Sequence, residues 1–295
     1  MNLPHKIRAT LALVAMFVNT VIMVTPLYVL AILKLILPIN GVRVLLSKGL
    51  VLIAETWIAV NNGIIALFSS VRWRVEGLEK LSKDQWYFVV SNHQSWADIL
   101  VLQRTFNRRV PFLKFFLKQE LIKVPFLGLA WWALDFPFMK RYSKAEIEKN
   151  PSLKGKDLET TQAACEKFAH FPTSVMNFLE GTRFTQVKHD KQNSSFNHLL
   201  KPKSGGAAFT LNAMAGKLQT LIDVTIVYPK HAPRSIFAFL GGAVQDVRVI
   251  VRQQVIPEWA SQGDYENDPD FREKFQQWIN ELWNEKDAIL AAQQH

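Results

Sequence analysis

Between Ala9 and Leu33 the chain carries no charged residue. This run, rich in Leu, Val, Ile, Ala and Met, would reach roughly 37 Å as a helix, against a bilayer hydrocarbon core of about 30 Å. The apolar region of a cleavable signal is shorter and ends in a small-residue cleavage site, so the segment reads as a membrane anchor. Pro26, inside the run, is expected to kink the helix or divide it. A second apolar stretch, residues 49–71, holds Glu55 as its only charged group, with Asn61 and Asn62 near its middle. It fits a second span, an interfacial helix or a helix packed on the rest of the protein, and a re-entrant hairpin fits both stretches together.

The charge follows the same division. The formal net charge is +10. Residues 1–75 hold Lys6, Arg8, Lys34, Arg43, Lys48, Arg72 and Arg74 against Glu55 alone. Cations flanking apolar segments suit anionic lipid headgroups. A nucleic-acid-binding domain gathers them on a soluble face instead, so nucleic acid is not an expected partner. The single cysteine, Cys165, excludes a disulfide framework and a zinc site built from several thiolates. It lies in a helical pattern, where it reads as a small buried hydrophobe.

From residue 72 onward the pattern is that of an α/β domain. Apolar runs at 86–91, 136–139, 174–179, 223–228 and 246–254 predict strands, and 156–169, 205–215 and 269–290 predict helices. The alternation predicts a mixed, largely parallel sheet flanked by helices. The chain thus divides into an N-terminal apolar, membrane-associated helical region, 1–71, and an α/β domain, 72–295. The polar stretch 143–156 reads as a loop or frayed helix start, and 185–203 as a long surface loop. The last helix is amphipathic, with Phe275, Trp278, Ile279 and Leu282 on its inward face. The apolar cluster Phe126, Leu127, Leu129, Trp131, Trp132 and Phe136 fits core, an acyl-chain tunnel or a surface dipping into lipid.

The sharpest local signal is Ser91-Asn92-His93-Gln94-Ser95-Trp96-Ala97-Asp98. It follows an apolar strand pattern and precedes Ile99-Leu100-Val101-Leu102, which reads as a buried helix. His93 would then sit at the strand-to-helix junction, with Asp98 in the first helical turns reaching back to it. A carboxylate on one ring nitrogen fixes the tautomer and leaves the other nitrogen free as a base. The chain has seven histidines, and only His93 has an acid five positions later. The same spacing also fits a helix start capped by Asn92 or Ser95 beside a hydrogen-bonded histidine. Ser95 as a nucleophile would need the Gly-x-Ser-x-Gly elbow, which the sequence lacks.

Three further segments accompany this one. In order they are Phe136-Pro137-Phe138-Met139-Lys140-Arg141, Asn177-Phe178-Leu179-Glu180-Gly181-Thr182-Arg183 and Val224-Thr225-Ile226-Val227-Tyr228-Pro229. With Asn92-His93 and Asp98 they resemble the four blocks of the glycerolipid acyltransferases of the 1-acylglycerol-3-phosphate O-acyltransferase type. The first and third blocks are the specific ones. Phe116-Leu117-Lys118-Gln119 and Val124-Pro125-Phe126-Leu127-Gly128 extend the likeness toward a bacterial inner-membrane branch of the family. The second block lacks the common Gly–Ile pattern, and Thr225 stands where proline is frequent.

The resemblance implies an acyl group moved from acyl-CoA or acyl-carrier protein to the hydroxyl of a lysophospholipid, lysophosphatidate first, with membrane lipid as surroundings. It implies His93 as general base and Asp98 as its orienting partner. Donors near the start of the following helix are expected to face the oxyanion. Arg141, Glu180, Gly181, Thr182 and Arg183 carry over as the binding set for the acceptor's glycerol phosphate. A guanidinium suits a phosphate, whereas Glu180 would repel one, so holding Arg183 or the loop is its expected physical role. An acyl thioester is already activated, so neither metal nor cofactor is expected. The implied location is the bacterial inner membrane with the active domain facing the cytoplasm. The alternatives are another lysophospholipid acceptor and a non-catalytic lipid-binding protein, which would need neither His93 nor Asp98.

Overall fold

The computed structural model describes residues 4–37, 39–139, 149–150, 156–166, 171–214 and 216–293. The apolar N-terminal region forms two antiparallel helices, α1 (His5–Ile36) and α2 (Asn40–Phe68). Pro26 does not divide α1. Polar side chains join the pair in its middle. Asn19 Nδ2 donates to Asn61 Oδ1 at 2.8 Å and to the Trp57 carbonyl at 3.1 Å, and the Trp57 indole donates to Thr20 Oγ1 at 3.0 Å. Asn–Asn and indole–hydroxyl contacts of this kind fix the register of one helix against the other. The outward faces remain apolar and exposed, as at Phe17, Ile22, Leu45 and Leu52.

The hairpin is bonded to the rest of the protein along its length. At its base His5 Nδ1 meets the Gly241 carbonyl at 2.8 Å, while Arg8 Nε closes the hairpin itself by donating to the Phe68 carbonyl at 2.7 Å. A Cβ on Gly241 would lie 2.5 Å from the His5 carbonyl oxygen, so this approach requires glycine. Near the tip the Tyr28 hydroxyl donates to the Phe126 carbonyl at 2.7 Å, and Lys34 pairs with Asp135 at 2.8 Å. Glu55, at the midpoint of α2, lies 3.8 Å from Lys83 and 3.6 Å from Arg108, two cations half-exposed to solvent.

The remaining elements are β1 (Arg72–Glu76), β2 (Tyr87–Ser91), α3 (Ala97–Phe106), β3 (Leu113–Phe115), β4 (Leu117–Lys118), α4 (Leu127–Ala133), β5 (Phe138–Met139), α5 (Lys156–Glu166), β6 (Ser174–Asn177), α6 (Gln186–Gln192), α7 (Gly205–Ala213), β7 (Thr220–Val227), α8 (Ile236–Leu240), β8 (Asp246–Val255) and α9 (Pro269–Ala292). Six strands form one sheet in the order β1-β8-β7-β2-β6-β3, parallel except at the β7–β8 junction. The mixed, largely parallel sheet read from the sequence is therefore present.

β2 is buried at all five positions, as a central parallel strand must be. Its side chains alternate between two cores. Tyr87 and Val89 join a cluster with α1, α2, α3, α4 and α8, while Phe88 and Val90 join one with α5, α7 and α9. The hairpin thus shares a core with one face of the sheet. Cys165 is fully buried in the other cluster, and burial pushes its thiol up to about 12. On α9, Phe275, Ile279 and Leu282 are buried and Trp278 is partly so, as its periodicity requires.

Several elements differ from the sequence reading. The 136–139 run yields only β5, which pairs in parallel with β4 outside the main sheet. Edge strands β1 and β3 carry no apolar run to announce them, since β1 is Arg-Trp-Arg-Val-Glu and β3 centres on Lys114. The stretch 185–203 is not one loop. It opens with helix α6, whose N-terminus is capped by Thr185 Oγ1 and whose end turns at Asn193 in the left-handed conformation. The apolar cluster divides, with Phe136 buried and Phe126, Leu129 and Trp132 exposed beside α1. Lys140, Arg141 and the stretch 143–156, apart from Lys149, Asn150 and the start of α5, lie outside the described residues.

Candidate active site

Three adjacent parallel strands, β7, β2 and β6, end on the same edge of the sheet. Their carboxyl ends deliver Tyr228, His93 and the 178–183 loop to one place. This is where open α/β sheets bind ligands. Asn92 fixes the exit of β2 on its neighbour. Its Nδ2 donates to the Ile226 carbonyl at 2.9 Å, and its Oδ1 accepts from the Ile226 amide at 2.8 Å.

His93 Nδ1 lies 2.8 Å from Asp98 Oδ2. A carboxylate only accepts, so Nδ1 carries the hydrogen and Nε2 is left with the lone pair. The imidazole is also stacked on Phe178, 3.9 Å between centroids and 14° between planes, which fixes its rotation. Asp98 is fully buried, with its charge met by four donors. Oδ2 also accepts from the amides of Gln94 at 2.6 Å and Ser95 at 2.8 Å, and Oδ1 accepts from the Tyr228 hydroxyl at 2.6 Å. Burial, chiefly, and Asp98 itself hold the Tyr228 phenol well above its usual range, so it stays a donor.

Several amides at the helix start are already engaged. The Gln94 and Ser95 amides are engaged by Asp98, the Ala97 amide donates to Ser95 Oγ at 3.0 Å, and the Asp98 amide donates to the Ser95 carbonyl at 3.2 Å. Ser95 Oγ in turn donates to the Arg234 carbonyl at 2.8 Å. Ser95 is therefore a cap and a tie between loops, not a nucleophile.

Glu180 is where the structure departs most from a binding role. It is fully buried, away from Arg183, and both carboxylate oxygens are taken. Oε1 accepts from the His93 amide at 2.9 Å and Oε2 from the Leu200 amide at 3.1 Å. Burial raises its pKa to about 8, against the lowering effect of those two amides. It holds loops together, as physical reasoning on its charge anticipated, but not Arg183. Gly181 sits at φ 67°, a left-handed turn suited to glycine, and its amide donates to the Phe178 carbonyl at 2.9 Å.

Past that turn, the Phe184 amide donates to the His93 carbonyl at 2.7 Å. This brings Thr182 and Arg183 beside the His93 loop. The Arg183 guanidinium lies over the Trp96 ring, 4.8 Å from its centroid. Lys188 Nζ donates to Thr182 Oγ1 at 2.7 Å and to the Arg183 carbonyl at 2.9 Å. His93, Asp98, Gly181, Thr182 and Arg183 are thus brought together on one edge, Glu180 lies beneath them, and Arg141 is outside the described residues.

The sequence carries no signal for the support that comes from the far side of the sheet. Lys286 on α9 is fully buried, donates to the Val224 carbonyl at 2.5 Å and pairs with Asp223. Its neighbour Asp287 accepts from the amides of Asn197 at 2.8 Å and His198 at 2.7 Å, just before Leu200 reaches Glu180. Tyr228 was visible only as the end of an apolar strand.

A family model described as acyltransferase matches residues 72–229, a span that contains all of these edge residues. The mouse 1-acyl-sn-glycerol-3-phosphate acyltransferase gamma is 25% identical over 182 residues, covering 58% of this chain and 43% of that protein. The human 1-acyl-sn-glycerol-3-phosphate acyltransferase delta is 24% identical over 257 residues, covering 83% of this chain and 60% of that protein. The chain spans about half the length of these curated relatives. Among solved structures, the 1-acyl-sn-glycerophosphate (LPA) acyltransferase PlsC from Thermotoga maritima shares the fold. The match has a TM-score of 0.54 at 20% identity, over 94% of this chain and 97% of that one.

Proposed function

Since the chain belongs to the acyltransferase family, we propose that it moves a fatty acyl group from acyl-CoA or acyl-carrier protein to the free hydroxyl of 1-acylglycerol 3-phosphate, in phospholipid synthesis. The observation that carries this reading is the His93–Asp98 pair at 2.8 Å with Arg183 on the adjoining loop. His93 Nε2 takes the proton of the acceptor hydroxyl as its oxygen attacks the thioester carbonyl. The imidazolium so formed faces the fully buried Asp98 carboxylate. The tetrahedral intermediate collapses, the C–S bond breaks, and the departing thiolate takes the proton back from Nε2. Ester and thiol result, and the enzyme is returned unchanged.

Arg183 and Thr182 bind the acceptor's phosphate in this scheme, with Gly181 giving the turn that presents them. Arg141 belongs to the same binding set by its place in the second block. Residues 1–71 anchor the protein in the bacterial inner membrane, and 72–295 form the catalytic unit on the cytoplasmic side. The hairpin lies along the domain and enters one leaflet rather than crossing. A helix of α1's length spans about 48 Å, yet its base and its tip are both bonded to the domain. The pairing of Glu55, at the middle of α2, with Lys83 and Arg108 supports the same reading.

The test is mass-resolved transfer by purified protein to a panel of lysophospholipids, with both thioester donors. Diacylglycerol phosphate formed faster than any other product, and abolished in folded His93→Ala, is the expected result. Equal rates in that variant would overturn the base assignment. Preference for another headgroup would overturn the acceptor assignment while leaving the acyltransferase.

A further inference from the structure

Arg183 raises a physical question that its proposed role leaves open. A long cationic side chain on a turn has rotamer entropy to lose before it can make a forked contact. Proteins commonly hold such an arginine with a carboxylate, which would also neutralise it and occupy its donors. Among the described residues no carboxylate lies within ion-pairing distance of Arg183. What holds it is the face of Trp96, at 4.8 Å. Trp96 is 51% exposed, an unusual place for the largest apolar side chain.

We propose that Trp96 and Lys188 are positioning residues that aim Arg183 and Thr182 at the acceptor's phosphate; this rests on the reading of Arg183 given above. Stacking covers the flat face of the guanidinium and leaves its in-plane N–H edge open, the edge that makes paired bonds to phosphate oxygens. The charge stays whole. Lys188 acts from the other side. Its ammonium donates to Thr182 Oγ1 at 2.7 Å and to the Arg183 carbonyl at 2.9 Å, fixing the hydroxyl of one and the backbone of the other. Because the Thr182 oxygen accepts from Lys188, its own hydrogen is left to point elsewhere, toward an anion.

The placement of Trp96 adds a geometric coupling. It is three residues from His93 and immediately precedes α3, whose second residue is Asp98. The ring therefore sets the spacing between the base and the phosphate clamp, and the Phe184–His93 backbone bond at 2.7 Å repeats that tie.

The experiment is steady-state kinetics with lysophosphatidate in mixed micelles, varying acceptor at saturating donor and then the reverse. Trp96→Leu is expected to raise the acceptor KM about tenfold, with kcat and donor KM within about twofold, and Trp96→Phe to recover most of it. Lys188→Met should raise the same KM, partly rescued by Lys188→Arg. In an Arg183→Ala background, Trp96→Leu should add nothing further, because its effect runs through the missing guanidinium. The same tenfold factor persisting in that background would overturn the proposal, as would a defect confined to kcat or donor KM, which would make Trp96 an acyl- or lipid-facing residue. If Arg183→Ala alone leaves the acceptor KM unchanged, the phosphate assignment fails, and the positioning role with it. An unchanged melting temperature for Trp96→Phe keeps these outcomes separate from misfolding.

Discussion

Asp98→Asn removes one charge and little volume, so its cost can be worked from the four bonds around the carboxylate. An amide offers only one acceptor oxygen. Facing it toward His93, Gln94 and Ser95 places the amide nitrogen at the Tyr228 hydroxyl, which can rotate to accept. The contacts survive, but each changes from charge-assisted to neutral, from about 1.5–3 to about 0.5–1.5 kcal/mol. Relief of the buried charge offsets part of that, leaving a stability loss of about 1–3 kcal/mol. The kinetic loss is larger. While His93 is neutral its ring needs only a hydrogen-bond acceptor, but the imidazolium formed in the reaction needs a counter-charge. Losing one partner of a buried pair costs about 3–5 kcal/mol, or about 10²–10⁴ in kcat. The defect should fall on kcat and leave both KM values nearly alone. Thiol release at saturating substrates measures it, with a circular-dichroism melt to confirm folding. A folded Asp98→Asn protein within fivefold of wild-type kcat, or one impaired only in KM, would refute the reasoning.

Tyr228→Phe deletes the donor to Asp98 Oδ1, and a buried acceptor left unmet costs about 1–3 kcal/mol; kcat should fall about ten- to hundredfold, and full activity would remove Tyr228 from the site's support. Glu180 has a folded-state pKa raised from 4.5 to about 8, so the folded state holds its proton more tightly than the unfolded chain. Its contribution is therefore fully present below about pH 4.5 and is lost as pH rises toward 8. Urea midpoints should fall for wild type across that window and fall less for Glu180→Gln, and parallel curves would argue against this assignment. Protein bound to membranes should remain there through high-salt washing, since salt screens charge but does not release buried apolar helices; release by salt alone would mean a peripheral protein held by its cations.

Legibility in the sequence followed side-chain type. Strands β2, β6 and β7 are buried on both faces and read as apolar runs, β8 shows by alternation, and α9 shows its stripe because one side meets solvent. β1 and β3 lie at the sheet's edges, where Arg72, Arg74 and the buried Lys114 interrupt any apolar run. α6 is Gln-Val-Lys-His-Asp-Lys-Gln, and its identity rests on caps rather than on periodicity. At the site, His93 and Asp98 were readable because five positions separate them. Tyr228 reaches Asp98 across 130 positions and Leu200 reaches Glu180 across twenty, and register of that kind belongs to strand order, which composition does not encode.

The bonds that fasten α1 to the domain at His5, Tyr28 and Lys34 also decide in how many dimensions the enzyme meets its acceptor. On the membrane placement proposed above, a domain that shares its core with the hairpin does not swing out on a tether between turnovers. A lysophospholipid acceptor would then arrive sideways, by diffusion within the leaflet, without lifting its tail into water at about 0.8 kcal/mol per methylene. The concentration that governs its rate is then a mole fraction in the bilayer, not an amount per volume. At saturating thioester donor, adding buffer to a vesicle suspension should leave such a rate unchanged per enzyme, whereas adding inert phospholipid should slow it.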